Sequence, residues 1–280
     1  MSENINSIEE RINTLSRKSR KRIGLIIKMP DQAVLDGLRA AQRDCDLLIV
    51  GQQIDDFESV PAQNNYEDIL ISLLVEKKVD GIVRGQGEYQ ETLDSLKART
   101  GTEKFHTPAI IKDVHGHVFT LSPVNDFEGH TVEEKVETGI EISKWLDGIW
   151  GIEPEVVVMC AWRGREWGQP YLKQTQDDAE EVVEGLASQG IKAIVRDKLD
   201  HAVKSGNVVI PVNGMLGHTI YRALCMLGDG HPVGVPMLGS NFVVADHSKY
   251  ETDFSPHIRF ASAWANLFDG READSGWLCL

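Results

Sequence analysis

The stretch IGLIIKMPDQAVLDGLRAAQRDCDLLIVG, residues 23–51, contains the pattern that decides the fold class. Its two ends, residues 23–29 and 45–51, are rich in isoleucine, leucine and valine and are typical of buried strands. The segment between them, residues 31–44, has helical periodicity and begins with Asp31, a residue type that favours the N-cap of a helix. A strand, a helix and a second strand in this order predict a βαβ unit with a parallel sheet.

Short apolar runs and helical patterns continue to alternate on both sides of this unit. Strands are predicted at 80–87, 107–114, 116–124, 153–162 and 191–197. Helices are predicted at 5–22, 66–79, 91–100, 131–151, 177–190 and 256–268. Residues 207–228 predict a strand, a glycine turn and a further helix. We therefore expect an α/β fold of two lobes, in which helices cover parallel or mixed sheets.

The composition of the 280 residues is that of a folded globular protein, with 41% hydrophobic and 26% charged residues. These fractions exclude disordered, collagen-like and disulfide-scaffold proteins. The formal net charge of -14 repels the phosphates of DNA and RNA, so we expect no nucleic-acid partner.

The sequence also bears on the cellular compartment. No apolar run approaches the roughly 20 residues needed to span a bilayer, and the first residues are too polar for a signal peptide. The four cysteines lie far apart without C-x-x-C spacing, which predicts neither a disulfide framework nor a zinc site. We expect a cytoplasmic protein that has no membrane contact and no metal site.

A glycine turn with a basic residue follows the predicted strand at 80–87. Arg84, Gly85 and Gly87 stand here, directly before a predicted helix. Glycine lets the backbone approach a phosphate closely, a helix N-terminus favours an anion, and arginine can hold an anion with two parallel donors. We predict that these residues bind an anionic ligand, although such turns also occur in α/β proteins for structural reasons alone.

Two further turns come after predicted strands, which is where ligands bind in open α/β sheets. Arg163 and Gly164 follow the strand at 153–162, and arginines at this place suit a phosphate or a carboxylate. Asn213 and Gly214 follow the strand that begins the segment 207–228. We predict ligand contacts at both turns; the alternative for the first is an ordinary solvated turn.

A polar cluster, Asp246-His247-Ser248-Lys249, groups an acid, an imidazole, a hydroxyl and an ammonium group. Such a set supplies a base, an oxyanion donor and a cation. We predict that Asp246, Ser248 and Lys249 carry the chemistry, with an ordinary polar loop as the alternative.

Four segments resemble the phosphate acetyl/butyryltransferase superfamily. They are VDGIVRGQGEYQETL (79–93), GIEPEVVVMCAWRGREWG (151–168), NVVIPVNGMLGHTIYRALCMLG (207–228) and HPVGVPMLGSNFVVADHSK (231–249). The spacing of the last two makes the match specific. Within the superfamily the V-R-G and A-D-H-S-K variants resemble MtxX, the methyltransferase-related methanogenesis marker protein 4 family of methanogenic archaea. The resemblance adds His218 and Tyr221 to the ligand-binding residues.

The resemblance implies a phosphate acetyltransferase-like fold of the isocitrate/isopropylmalate dehydrogenase type. An N-terminal helix at 1–22 would precede a discontinuous first lobe, formed by 23–129 and 236–280. The inserted second lobe would span 130–235 and face the first lobe across a ligand cleft.

In the superfamily a coenzyme A thiolate attacks an acyl phosphate, while a serine stabilises the oxyanion and arginines hold the phosphate. Ser248 matches that serine, and Lys249 replaces the arginine after it. The family's Arg-Lys-x-Lys-Gly segment is absent from 55–78, and both Asp253 and His257 fit the place of the acid that follows the serine. Lysine does not reproduce the planar fork of arginine.

Three functions follow as expectations. The first is a transferase linked by resemblance to methyl transfer in methanogenesis, which binds a small anionic ligand in the cleft. The second is a phosphate acyltransferase, and the third is a non-catalytic assembly or regulatory subunit. No residue pattern identifies a cofactor; the resemblance implies coenzyme A or another phosphate-bearing ligand. It also implies a homodimer, and methyltransferase or corrinoid protein subunits as partners.

Overall fold

The computed structural model describes residues 4–162, 169–248 and 251–268. The chain divides into two compact units. Unit 1 consists of Met1–Ser7 and His106–Pro232, and unit 2 consists of Ile8–Phe105 and Val233–Leu280.

Unit 2 contains a five-stranded sheet within its described residues, with the order β11-β4-β1-β2-β3. All neighbouring strands are parallel. The strands are β1 (Arg22–Ile27), β2 (Asp46–Gly51), β3 (Glu58–Pro61), β4 (Gly81–Gly85) and β11 (Val244–Ala245). The helices are α1 (Ile8–Leu15), α2 (Gln32–Ala41), α3 (Tyr66–Val75), α4 (Tyr89–Thr100) and α9 (Ser255–Phe268).

The predicted βαβ unit is confirmed by β1, α2 and β2. Ile23 lies opposite Leu47 in the parallel ladder. Asp31 is the N-cap of α2, and its carboxylate accepts a hydrogen bond from the backbone N–H of Val34 at 2.9 Å. The cap satisfies one of the free donors at the helix start, which fixes where the chain turns from strand to helix.

The core of unit 2 forms where α3 and α4 pack on the sheet. Its members are buried aliphatic and aromatic side chains: Ile26, Leu48, Val50, Leu70, Ile71, Leu74, Val79, Ile82, Leu93, Leu96, Phe105, Met237 and Val244. A fully buried side chain of this size stabilises the fold by about 1.5–3 kcal/mol relative to an exposed one. Helix α9 also packs on the sheet, with Ile258, Phe260 and Trp264 buried.

The N-terminal helix is shorter than predicted. A 3-10 turn at Ile5–Ser7 precedes α1, and β1 already begins at Arg22. The basic residues that follow α1 pair with acids of unit 2: Arg17 contacts Asp44 at 2.7 Å and Arg20 contacts Asp46 at 2.7 Å. These two arginines therefore form ion pairs within unit 2.

The second sheet within the residues that the structure describes has six strands, with the order β10-β5-β6-β9-β7-β8. It belongs to unit 1 except for the last two residues of β10, Val233 and Gly234, which are assigned to unit 2. Strands β5 and β6 are antiparallel, whereas β6, β9, β7 and β8 are parallel. The strands are β5 (Ala109–Lys112), β6 (Val118–Leu121), β7 (Val156–Met159), β8 (Ala193–Arg196), β9 (Val208–Ile210) and β10 (His231–Gly234). The helices are α5 (Val132–Trp145), α6 (Pro170–Ser188), α7 (Leu199–Ser205) and α8 (Gly214–Arg222), and short π-helical turns extend α5 and α8.

Helices α5 and α6 of unit 1 approach each other closely through glycines. A Cβ atom at Gly139 would lie 2.8 Å from Leu186, and one at Gly185 would lie 2.7 Å from Val136. Both distances are shorter than a van der Waals contact, so a side chain at either position would push the helices apart.

The strand order reverses once in each sheet. In unit 2, β2 and β3 continue to one side of β1, whereas β4 and β11 lie on its other side. In unit 1 the chain leaves β6 toward β7 and β8, and leaves β9 toward β10 on the opposite side. The loops after such a pair of strands diverge and leave a crevice at the carboxyl ends. Each unit therefore has its own predicted ligand-binding position, at β1/β4 and at β6/β9.

The lobe boundaries of 129/130 and 235/236 stay a prediction. Unit 1 begins at His106 because β5 and β6 pair within its sheet. The short strand β3 and the short helix α7 have no counterpart in the sequence prediction. No helix within the described part of the chain is long and apolar enough to cross a membrane.

Candidate functional site

Arg84, at the end of β4, is buried and fully engaged with its own unit. Its Nε donates to the Asp246 carboxylate at 2.5 Å, its Nη1 donates to the Gly87 carbonyl at 2.7 Å, and its Nη2 donates to the His247 carbonyl at 2.6 Å. Arg84 and Asp246 are only 4% and 7% exposed. The guanidinium therefore ties the turn after β4 to the segment after β11, and it does so with groups of the protein.

His247 adds a second connection between the same two segments. Its Nε2 lies 2.7 Å from the Gly85 carbonyl, and its Nδ1 lies 2.7 Å from the Ser248 carbonyl. Burial, with further contributions from Arg84 and His257, lowers the pKa of His247 to about 4. The ring is therefore neutral at pH 7 and donates from one nitrogen at a time.

The glycines of the turn after β4 are required by close backbone contacts. Gly85 has φ +62°, and a Cβ there would lie 2.2 Å from the Ile26 carbonyl oxygen. A Cβ at Gly87 would lie 2.8 Å from the Ile26 side chain. The backbone N–H groups of this turn are also used: Gln86 donates to Ile26 at 2.7 Å and Gly87 donates to Arg84 at 3.2 Å. The turn is a closed hydrogen-bonded structure.

A glutamate occupies the place where a helix N-terminus attracts an anion. The Glu67 carboxylate, on α3, accepts a hydrogen bond from the backbone N–H of Glu88 at 2.8 Å, directly before α4. The same Oε1 atom accepts from Lys28 Nζ at 3.3 Å, and Lys28 Nζ lies 4.8 Å from the centre of the Tyr66 ring. Sequence reasoning missed Glu67, since it lies 21 residues from its backbone partner.

Gln86, in the turn after β4, is hydrogen-bonded to the loop after β1. Its Oε1 accepts from the backbone N–H groups of Lys28 at 2.6 Å and Met29 at 2.7 Å. Its amide nitrogen donates to the Met29 carbonyl at 3.0 Å. The loops after β1 and β4 are thus held together by one side chain.

The predicted catalytic residues of unit 2 follow β11 at the carboxyl edge of the sheet. Asp246 is buried against Arg84, and Ser248 is partly exposed. Lys249 lies outside the described residues. The structure brings Asp246 and Ser248 into one short segment that Arg84 and His247 fix in place.

The two residues that fit the place of the serine's acid have different surroundings. The Asp253 carboxylate accepts from the backbone N–H of Ser255 at 2.9 Å, at the start of α9. His257 is fully buried and its Nε2 lies 2.7 Å from the Glu251 carboxylate. Both residues thus contribute to the packing of α9, and neither has a described contact with Ser248.

The predicted turn of unit 1 is closed by its own hydrogen bonds. Asn213 is the N-cap of α8, and its side chain accepts from the backbone N–H of Leu216 at 3.0 Å. The backbone N–H of Gly214 donates to the Glu128 carbonyl at 3.0 Å. Two of the donors that an anion would use at this helix start are therefore taken by the protein.

The loop after β6 packs tightly on α8. A Cβ at Gly214 would lie 1.7 Å from the Asn125 carbonyl oxygen, and one at Gly217 would lie 1.9 Å from the Pro123 carbonyl oxygen. Gly129 has φ +72° and leaves no room for a Cβ beside Pro123. Only glycine fits at these positions, so the loop and the helix start form a fixed unit.

Glu128 stands in this loop and was not singled out by the sequence. Its Oε1 accepts from the Asn125 amide at 3.1 Å, while its Oε2 is buried and has no partner among the described residues. Burial raises the pKa of Glu128 to about 7, although the Asn125 hydrogen bond opposes the shift. The sequence feature that could have pointed to Glu128 is the polar stretch NDFEGH, which contains it and follows a predicted strand.

The other predicted residues of unit 1 lie along α8. His218 is exposed, and its Nδ1 lies 3.3 Å from the Val124 carbonyl. Tyr221 is 7% exposed. Arg163 and Gly164 lie outside the described residues. Within the described ranges there is no group of three His, Cys, Asp or Glu side chains that could hold a metal ion.

Comparison with curated proteins finds relatives among methanogens. The chain is 30% identical over 270 residues to "Putative methyltransferase mtx subunit X" of Methanosarcina mazei, covering 92% of this chain and 95% of the relative. The protein of the same name from Methanosarcina acetivorans is 29% identical, and the match covers 94% of this chain and 97% of the relative. An "Uncharacterized methyltransferase" of Methanopyrus kandleri is 26% identical over 240 residues, covering 81% and 92%. No family model matches the chain.

Solved structures share the fold. A phosphotransacetylase from Streptococcus pyogenes has a TM-score of 0.69 at 12% identity and covers 96% of this chain and 100% of its own. A branched-chain phosphotransacylase from Enterococcus faecalis has a TM-score of 0.67 at 16% identity, covering 86% and 99%. A 4-hydroxythreonine-4-phosphate dehydrogenase from Klebsiella pneumoniae has a TM-score of 0.58 at 10% identity, covering 88% and 99%. At these identities the likeness establishes the fold alone.

Proposed function

This chain belongs to the MtxX family, and on that premise we propose that it works in methyl transfer in methanogens, as a transferase that binds a small anionic ligand. The observation that carries the proposal is the 30% identity over 92% of the chain with a relative named as a methyltransferase subunit. The phosphotransacylase-like fold supports a phosphate-bearing ligand, because the similar solved structures are named for phosphate chemistry.

In unit 2 we propose that the ligand meets Ser248 at the carboxyl edge of the sheet. The Ser248 hydroxyl would donate to negative charge that develops during transfer, and Lys249 would add a positive point charge. Asp246 and Arg84 would act as positioning residues, since their mutual hydrogen bond and the Arg84 contact to the His247 carbonyl fix the backbone before Ser248. Gly85 and Gly87 would permit the close turn on which this geometry depends.

In unit 1 the proposed ligand contacts remain those of Arg163, Gly164, Asn213, Gly214 and His218, with Tyr221 behind them. Asn213 and Gly214 would also fix the start of α8 beside the ligand, since the Asn213 side-chain oxygen accepts from Leu216 and the Gly214 N–H donates to Glu128. The location of the ligand in a cleft between lobes stays part of the proposal, as does the cytoplasmic location.

The proposal includes partners. A family named for a subunit of a methyltransferase supports association with further methyltransferase subunits or with a corrinoid protein. We also propose a homodimer, and light scattering on the purified protein should then give twice the mass of one chain. A monomer mass at micromolar concentration would remove the dimer from the proposal.

A second candidate is a phosphate acyltransferase, which the fold favours. In that reaction a thiolate sulfur attacks the carbonyl carbon of an acyl phosphate, a thioester bond forms, and the carbon–oxygen bond to phosphate breaks. The engagement of Arg84 with Asp246 and two carbonyls speaks against it, because this guanidinium has three of its donor directions committed to the protein. A non-catalytic subunit is the third candidate and predicts ligand binding without turnover.

One set of assays separates the candidates. The purified protein is incubated with acetyl phosphate and coenzyme A, and separately with methylcobalamin and a thiol acceptor, while inorganic phosphate is tested for an increase in Tm. Ser248→Ala is compared with Ser188→Ala, an exposed serine on α6. The proposal expects faster demethylation of methylcobalamin, lost in Ser248→Ala, and no acetyl-CoA.

Other outcomes assign the other functions. Acetyl-CoA formation that Ser248→Ala abolishes and Ser188→Ala leaves intact would establish the acyltransferase. An increase in Tm with phosphate, without either reaction, would establish the non-catalytic subunit.

A further inference from the structure

The carboxylate of Glu128 stands at the β6/β9 reversal of unit 1, where the topology predicts a ligand. We propose that Glu128 is a recognition residue that binds an N–H donor group of a ligand, in the class of amines, amidines and amides. The proposal concerns unit 1 alone and does not depend on methyl transfer.

The loop that carries Glu128 is rigid. Its backbone carbonyl accepts from Gly214 at 3.0 Å, and its Oε1 accepts from the Asn125 amide at 3.1 Å. The Asn125 and Pro123 carbonyls contact Gly214 and Gly217 so closely that no larger residue fits. The carboxylate is thus held in one orientation before any ligand arrives, which lowers the entropic cost of binding.

One carboxylate oxygen of Glu128 lacks a hydrogen-bond partner among the described residues. Glu128 Oε2 is buried and finds no hydrogen-bond donor within the described residues. A buried carboxylate oxygen without a donor costs free energy, and proteins retain such groups chiefly where they serve a purpose. A single N–H donor would complete the hydrogen bonding of this side chain.

The charge around Glu128 favours a donor over an anion. Glu134, on α5, is the charged residue that acts on Glu128, and it raises the cost of a negative charge there. Two side chains of unit 1 with nitrogen donors contact backbone carbonyls: Lys135 Nζ donates to Val212 at 3.4 Å, and His218 Nδ1 lies 3.3 Å from the Val124 carbonyl. At Oε2 itself a phosphate or carboxylate oxygen would be repelled, whereas an N–H donor would be attracted.

Binding and proton release are linked at this residue. The neutral carboxyl group carries its proton on Oε2, because Oε1 accepts from Asn125. A ligand N–H that takes the place at Oε2 displaces this proton to solvent and pairs with the carboxylate that remains. Binding is therefore stronger above pH 7 than below it.

The test uses the full chain with glutamate side chains labelled at the δ-carbon, and acetamidine hydrochloride as the probe. Carbon NMR follows the carboxyl resonances with pH, and Glu128→Gln assigns the Glu128 signal. We expect Glu128 to titrate near pH 7, and acetamidine to shift that signal with an affinity about tenfold weaker at pH 6 than at pH 8. Sodium acetate should not shift it.

The matched control is Glu133→Gln, which removes an exposed glutamate from the first turn of α5. Acetamidine should bind this variant as it binds the wild type and should lose its effect in Glu128→Gln. The proposal is overturned if Glu128 titrates with the exposed glutamates, if Glu128→Gln leaves acetamidine binding unchanged, or if acetate binds as well as acetamidine. Where Glu128→Gln folds poorly, the wild type alone decides: the proposal is overturned unless a glutamate resonance that titrates near pH 7 shifts with acetamidine and does not shift with acetate.

Discussion

The Glu67 carboxylate accepts a hydrogen bond from the backbone N–H of Glu88 at 2.8 Å, at the start of α4. A helix start carries a partial positive charge and commonly binds phosphate. Here the protein supplies the negative charge itself, and Lys28 balances it at 3.3 Å. The turn at β4 therefore has an internal anion where the sequence predicts an external one.

Glu67→Gln should raise the affinity of unit 2 for inorganic phosphate. Glutamine keeps an oxygen that accepts from Glu88, but the negative charge is gone and Lys28 is released for an external anion. We expect a roughly fivefold gain in affinity, equivalent to about 1 kcal/mol, measured from the rise of Tm with phosphate concentration. Asp68→Asn, which removes the neighbouring acid that pairs with Arg99, should leave the phosphate response as in the wild type. An unaltered response in Glu67→Gln would contradict the role given to this carboxylate.

Arg84→Ala should be strongly destabilising. The substitution leaves the buried Asp246 carboxylate and two carbonyls without a donor, and breaking a buried ion pair in this way costs about 3–5 kcal/mol. The measurement is the free energy of unfolding in urea. Arg99→Ala, which removes an exposed ion pair with Asp68, should cost a small fraction of that. Equal effects of the two substitutions would show that Arg84 does not tie the two segments together.

Stability should fall between pH 7 and pH 5 because of His247. The pKa of this residue is lowered to about 4 in the folded protein by burial, with Arg84 and His257 adding to the effect. An unfolded histidine has a pKa near 6.5, so below that pH the unfolded chain binds a proton that the folded chain excludes. The loss amounts to about 2 kcal/mol at pH 5.

The measurement for His247 compares urea unfolding at pH 7 and pH 5 with that of His247→Gln. The surrounding titratable groups, Asp246, His257 and Glu251, are present in both proteins. The variant should lose most of the pH dependence. A slope as steep in His247→Gln as in the wild type would assign the effect to other groups.

Gly214→Ala should disrupt the start of α8. The added Cβ would lie 1.7 Å from the Asn125 carbonyl oxygen and 2.7 Å from the Glu128 carbonyl oxygen, both of them backbone atoms. Overpacking against backbone costs about 3 kcal/mol or more, and the change should also move the Glu128 carboxyl resonance. Met215→Ala, at a side chain 60% exposed, is the neighbouring control and should change stability little.

The elements that could be predicted are those with a recognisable pattern in neighbouring residues of the sequence. Strand β1, helix α2 and strand β2 follow from apolar runs and an Asp cap, and the structure confirms them. Strand β3 and helix α7 were missed because they are short, and β3 contains no fully buried residue that would give it an apolar pattern.

The turns after β4 and β9 were predictable as glycine-bearing turns, but the groups that complete them were not. Arg84 meets Asp246 across 162 residues of chain, and Glu67 meets Glu88 across 21. The helix and strand periodicities of a sequence relate only neighbouring residues and cannot predict contacts over such separations. A glutamate at a helix start can be recognised only after the sheet has brought the two segments together.

The return of the chain to β4 has a consequence for the order of events during synthesis. Strand β4 ends at Gly85, and its neighbour β11 begins only at Val244, after all of the main segment of unit 1. A ribosome adds about 5–20 residues per second to the growing chain. It therefore synthesises that whole segment before β11 is available to pair with the open edge of β4. Unit 1 is the part able to fold on the growing chain, whereas unit 2 waits with an unprotected strand edge, the kind of surface that favours association between chains.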